Sequence, residues 1–232
     1  LDILQDDMVR TSNKQLRKRG RMQKMSPIQL QTHFGSILVP IGLPSCAKGG
    51  FEGLDTNFRP DYYLNDHQVL NGFNWSIEVV HTPGHLADHL CFSVIDKNIL
   101  FSGDIVMGWT STLISPPDGD VGQYFNSLDK LLNRSDNVYL PGHGHQVEDA
   151  KTYVAKLKKH RMERENQILS ILKIRPLNSY QIANKIYKNQ PQPIIYAGSR
   201  NVFAHLINLL ERNLICCDGT ISPDNCFEFI NK

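Results

Sequence analysis

Few of the features that announce a specialised class of protein are present in this chain. No two of the five cysteines (Cys46, Cys91, Cys216, Cys217 and Cys226) are spaced as Cys-x-x-Cys, and their number is odd. That excludes a zinc-finger pattern and argues against a disulfide framework, leaving a reducing cytoplasm as the expected compartment. No apolar run reaches the roughly 18 residues a membrane-spanning helix needs, and the first thirty residues contain no apolar core of a secretory signal. Net charge is +2 over 232 residues, too balanced for a generally basic nucleic-acid binder. Internal repeats and low-complexity tracts are also missing.

An ordinary apolar content of 41% is present, enough to bury a core in one or two domains. One local imbalance stands out. From Arg10 to Lys24 there are seven basic residues and no acidic one, so residues 1–30 are expected to be an irregular basic segment. The apolar stretch Ser36–Leu43 predicts a strand that ends at a turn. Short strands are then expected at Tyr62–Leu64, Gln68–Leu70 and Ser76–Val80, followed by a hairpin of Leu90–Ile95 and Asn98–Ser102 around Asp96-Lys97. Apolar residues at Val121, Tyr124, Phe125, Leu128, Leu131 and Leu132 recur at three and four and predict a helix over 120–132. Asn137–Leu140 reads as a further strand. A long helix is expected from about 148 to 173, ended by Pro176.

The last segment predicts a helix capped by Ser179 and running through Tyr187. A second, capped by Ser199, should run through Arg212. A hairpin of Leu214–Cys217 and Phe227–Ile230 around Asp218-Gly219 completes it. Helix, helix, hairpin is the outline of a winged helix. Its charge from Pro176 onward, five basic against four acidic residues, is a weak footprint for nucleic acid.

Chemistry is concentrated in three turns. His81-Thr82-Pro83-Gly84-His85, Phe101-Ser102-Gly103-Asp104 and Pro141-Gly142-His143-Gly144 each place an imidazole or carboxylate at a Gly turn after an apolar run. Strands supply rigidity and Gly a sharp bend, which is how a β-rich scaffold presents metal ligands. Imidazole and carboxylate are the ligands that zinc takes in catalytic sites. The other candidates have plainer readings. His81 is expected to support its turn, and His89 to stand behind the ligands. His145 should be exposed, and Asp118 and Asp120 should turn and cap the next helix. His160 and Arg161 should lie on a solvated face of the long helix or touch the winged helix.

The ordered set HTPGH, FSGD and YLPGHG resembles that of the metallo-β-lactamase superfamily. The Gly53-Leu54-Asp55 and Phe58-Arg59-Pro60-Asp61 segments, the run FSGDIVMGWTSTLISPPDGD, and His160-Arg161-x-x-Arg164-Glu165-x-Gln167-Ile168-Leu169 resemble its β-lactamase-like protein 2 subgroup. The resemblance covers about residues 29–232. It implies a mixed α/β (α+β) αββα sandwich, N-terminally incomplete here, over residues 31–173, with a C-terminal winged helix over 174–232. It further implies a site for two zinc ions, with His85 ligating one, Asp104 bridging and orienting the attacking water, and His143 ligating the other. The implied substrate is a small-molecule ester or thioester, or a phosphodiester in single-stranded RNA, and a homodimer is also compatible.

One departure is large. Where the family carries His-x-His-x-Asp-His, this chain reads Arg19-Gly20-Arg21-Met22-Gln23-Lys24-Met25. No metal ligand stands there, and Lys and Arg repel a divalent cation. Two readings therefore stay open. One is a hydrolase whose catalysis is impaired, with damage to the gene as one source of the basic stretch. The other is a non-catalytic remnant that binds nucleic acid or a protein partner through the basic segment and winged helix.

Overall fold

The computed structural model describes residues 62–230. The expected segment 1–30, the strand at 36–43 and the motif region 19–25 lie outside them, as does all of 31–61. Within them, a five-stranded sheet has the order β1 (Val69–Asn71), β2 (Ser76–His81), β3 (Leu90–Val94), β4 (Ile99–Gly103) and β5 (Val138–Pro141). Neighbours from β1 to β4 are antiparallel, and β4–β5 is parallel. That direction follows from the connection. The chain between β4 and β5 contains helix α1 (Val121–Leu132), and a helical crossover returns a strand in the same sense. This sheet is one β layer of the expected sandwich.

β3 is buried at every position, which is why its sequence, LCFSV, lacks polar alternation. Val80, Cys91, Leu100 and Tyr139 face a core shared with α1 and with α2 (Ala150–Leu172). Ile77, Val79, Leu90, Phe92 and Val94 form a second cluster with Leu64 on the other face. A pair of separate apolar layers on one sheet is what period-two alternation along β2 and β3 produces.

α1 starts where the spacing predicted, with the Asp120 side chain accepting from Gln123 N–H. The hairpin turn is a short 3-10 stretch, Ile95–Lys97, closed by Asn98 at φ 53°. Tyr62–Leu64 does not form a strand.

After α2 come α3 (Ser179–Ile186), α4 (Gln192–Glu211) and a hairpin of β6 (Ile215–Cys217) with β7 (Phe227–Phe229), held to Leu177 by a bridge to Phe227. Three local expectations are corrected here. α3 is capped by Asn178, whose side chain forms a reciprocal box with Gln181, and not by Ser179. α4 begins seven residues before Ser199, because Pro193 lies within its first turn, where no N–H partner is needed. The hairpin loop spans residues 218–226 and is not a two-residue turn at Asp218-Gly219. The Ile182, Val202, Leu206, Leu209, Ile215 and Phe227 side chains form a core of their own, into which α2 sends Ile168 and Leu172.

Candidate metal centre

All three chemistry-bearing turns lie along one edge of the sheet. β2 and β4 both run antiparallel to β3, and β5 runs parallel to β4, so β2, β4 and β5 point the same way. His85 follows the end of β2, Asp104 the end of β4 and His143 the end of β5. Loops at the carboxyl ends of co-directed strands converge, which is why open α/β sheets bind ligands there.

The convergence is close. His85 Nε2 lies 3.9 Å from Asp104 Oδ2, and His143 Nε2 lies 3.7 Å from Asp104 Oδ1. Two donors each about 2.1 Å from one tetrahedral ion stand about 3.4 Å apart. Each His–carboxylate pair is thus near the spacing for sharing a metal, with Asp104 between the two positions.

Local backbone geometry aims the carboxylate. β4 carries a register irregularity between Phe101 and Gly103, and such a bulge redirects the following side chain. Gly103 sits at φ +53°, and a Cβ there would lie 2.5 Å from His89 Nε2. Gly142 donates its N–H to Gly103 O at 2.8 Å. A Cβ on Gly142 would meet Asp104 Oδ1 at 2.6 Å, so the carboxylate occupies the space that glycine leaves.

His85 is fixed from behind. Its Nδ1 is 2.7 Å from Leu113 O. A carbonyl only accepts, so Nδ1 carries a proton and Nε2 is the nitrogen turned toward Asp104. Thr112 Oγ1 lies 3.1 Å from the same nitrogen. An N–H held by a backbone carbonyl behind a ligand nitrogen is the usual second-layer arrangement of metal-binding histidines. The turn itself rests on α1: Ser127 Oγ donates to Pro83 O at 2.6 Å and Asp120 N–H to Gly84 O at 2.9 Å.

His89 takes the supporting role expected of it. It is buried, and its Nε2 accepts from Asp104 N–H at 3.0 Å while Nδ1 faces Thr82 Oγ1 at 2.9 Å. Burial, then the nearby His85 and His81, hold its pKa down at about 3. It is a neutral prop for the Asp104 backbone. His81 Nε2 is 3.0 Å from Ala87 O within the same loop, and His145 is exposed.

Asp104 Oδ1 is buried and has no hydrogen-bond partner among the described residues. A buried carboxylate oxygen without a hydrogen bond costs desolvation energy with no return unless a cation or proton lies there. That fits the bridging half of a metal centre. The fit stops at two donors per position. Among the described residues no three His, Cys, Asp or Glu side chains enclose a common point at ion-binding distance, whereas a catalytic zinc takes three protein ligands.

Sequence reasoning missed the loop behind His85. Thr112 and Leu113 act through an oxygen of side chain or backbone, and nothing in their residue types marks them. The solvated-face expectation for Arg161 is corrected: the side chain is only 2% exposed. Its alternative, contact with the C-terminal elements, holds through Asn201 of α4. His160 is exposed.

Residues 14–143 match the profile of the Metallo-beta-lactamase superfamily. The chain belongs to this superfamily. It is 33% identical over 148 residues to a beta-lactamase-like protein 2 homolog of Drosophila melanogaster, covering 62% of this chain and 48% of that protein. It is also 33% identical over 108 residues to an atrochrysone carboxyl ACP thioesterase of Aspergillus chevalieri, covering 47% and 34% respectively. A beta-lactamase domain protein from Burkholderia ambifaria shares the superfamily fold at TM-score 0.67 and 19% identity, over 75% of this chain and 54% of that one. The chain spans about half the length of the beta-lactamase-like protein 2 homologs it matches. Superfamily membership makes this a chain of a hydrolase family that generally binds metal ions.

Proposed function

We propose that this chain carries the bridging half of a dinuclear zinc site of a hydrolase, with His85 and His143 each serving one position and Asp104 shared. The observation that carries the reading is the Asp104 carboxylate between two imidazole nitrogens, its buried Oδ1 without a hydrogen-bond partner among the described residues. A divalent ion held there supplies Lewis acidity toward a carbonyl and lowers the pKa of a water. The protein's own part is positional. The Leu113 carbonyl and Thr112 hydroxyl keep His85 Nε2 forward, and neutral His89 holds the Asp104 backbone without adding charge. Asp104 is left as an acceptor able to orient a water for attack.

The proposed substrate is a carboxylic ester or thioester. One similar protein is named a thioesterase, and the near-neutral charge of the chain offers no broad footprint for RNA. The proposed organisation is a hydrolase domain over 31–173 and a winged helix over 174–232. The C-terminal core, built mostly from residues after 173, and the helix–helix–hairpin order support it.

A second reading rests on the donor count. Two donors per position bind metal weakly, so a non-catalytic remnant that uses its C-terminal unit for binding is the alternative. Metal analysis of the purified chain, with thermal denaturation in chelator, separates the two. Zinc near two ions per chain, a fall in melting temperature on chelation, and loss of metal in Asp104→Asn support the hydrolase. No metal, with melting unchanged by chelator, rules it out. Turnover of a model thioester against single-stranded RNA then decides the substrate class.

A further inference from the structure

Arg161 of α2 is an almost fully buried cation whose partners among the described residues are all neutral. Its guanidinium donates through Nη2 to Thr112 O and through Nη1 to Asn201 Oδ1 at 3.2 Å, and it lies 5.3 Å from the centroid of the Tyr124 ring. Burial without a carboxylate lowers its pKa, with burial as the largest cause. A guanidinium is retained in such surroundings when its fixed fork does work that an apolar side chain cannot do. Here the fork joins two things, a residue of α4 and the loop behind His85.

The same loop is gripped by α4 directly. Asn201 Oδ1 accepts the Ile114 N–H at 2.8 Å, and Arg200 Nε donates to Ser115 Oγ at 2.7 Å. Thr112, Leu113, Ile114 and Ser115 are consecutive. The first two hold the His85 imidazole, and Thr112, Ile114 and Ser115 are held from α2 and α4. The segment therefore has the ligand on one side and the C-terminal unit on the other, with Thr112 and Ile114 fully buried. These contacts reach across 40 to 87 positions of sequence, so the loop's conformation is set by tertiary contacts and not by its own preferences.

We propose that Asn201 and Arg161 are positioning residues for the His85 ligand, so that the C-terminal helical unit is part of the metal site's support. The inference rests on the metal-centre reading above, and its test is arranged to fail separately from it. Asn201→Ala removes the shared acceptor, and Asn201→Asp restores an oxygen in the same place. Three readouts apply to the full chain: exchange of the Ile114 amide, the ¹⁵N tautomer signature of the His85 imidazole in metal-free protein, and zinc affinity by calorimetry.

In Asn201→Ala, the Ile114 amide is expected to exchange about tenfold faster. The Nδ1–H tautomer of His85 should give way to a mixture, and zinc affinity should fall by about 10- to 100-fold, the effect of removing a ligand's supporting partner. Asn201→Asp should stay within a few-fold of the unaltered chain. Faster Ile114 exchange with His85 tautomer and zinc affinity unchanged overturns the proposal. If the unaltered chain takes up no zinc, the metal-centre reading falls, and the tautomer still decides whether α4 positions His85. If Asn201→Ala does not fold, Arg161→Lys, which keeps the charge but loses the fork, carries the same readouts and the same criteria.

Discussion

Gly103 shows how much of the site depends on a missing side chain. At φ +53° an alanine is strained, and its Cβ would sit 2.5 Å from His89 Nε2. His89 cannot retreat, because it is buried between Thr82 and the Asp104 amide. Gly103→Ala is expected to lower stability by about 2 kcal/mol, read as a shift in urea midpoint at unchanged slope. A neutral result would mean that His89 moves freely and does not prop Asp104. The sequence marked this glycine through its place in Phe101-Ser102-Gly103-Asp104. It did not show that the space belongs to a histidine fourteen residues earlier, since which side chain fills a gap is a property of packing.

Ion pairing between elements has its own logic. Arg134, in the loop after α1, donates through Nε to Asp136 at 2.6 Å and through Nη2 to Glu78 of β2 at 2.8 Å. Asp136 is 3% exposed and also receives Ser93 Oγ. Arg134→Met strips a buried carboxylate of its cation, and a loss of about 3 kcal/mol is expected. The hydrogen bond from Arg134 is the main cause that holds the Glu78 carboxyl below its ordinary 4.5. A lowered carboxyl pKa gives stability that is full above 4.5 and declines as pH falls through the folded value. Unfolding free energy measured from pH 6 to pH 3 should therefore fall less steeply in Arg134→Met than in the unaltered chain. Equal slopes would refute the assignment. None of this was legible beforehand, because Glu78 and Arg134 are 56 positions apart and meet only once β2 and the loop after α1 are packed.

At the scale of the whole molecule, the junction of the α/β unit with the C-terminal helices contains buried polar atoms without partners. Both ring nitrogens of His205 have none among the described residues. Burial, then the neighbouring Arg161 and Arg164, push the His205 pKa from 6.5 to about 3. In the folded chain the ring is neutral, whereas the unfolded chain takes up a proton below about 6.5. This group therefore subtracts stability progressively as pH falls from about 6.5 toward 3. His205→Leu removes the proton uptake and two orphaned nitrogens. Melting temperature in the variant is expected to equal or exceed that of the unaltered chain at pH 7.5, and to decline less by pH 5. A steeper decline would show that the ring is protonated and satisfied in the fold.

The sequence by itself determined the helices α1 and α2, the order of strands β2 to β5, and the three turns bearing His85, Asp104 and His143. These follow from apolar periodicity and from Gly and Pro placement, which are local and survive without tertiary context. It also determined that no His-x-His-x-Asp-His stands in this chain. The tertiary structure alone decided that the three turns share one edge, through the common direction of β2, β4 and β5. It also decided that Asp104 keeps a buried oxygen without a hydrogen bond among the described residues, and that a buried arginine of α2 and an asparagine of α4 grip the loop behind His85. Strand direction, burial and contacts across many positions depend on which distant segments pack together, and no local residue pattern encodes that choice.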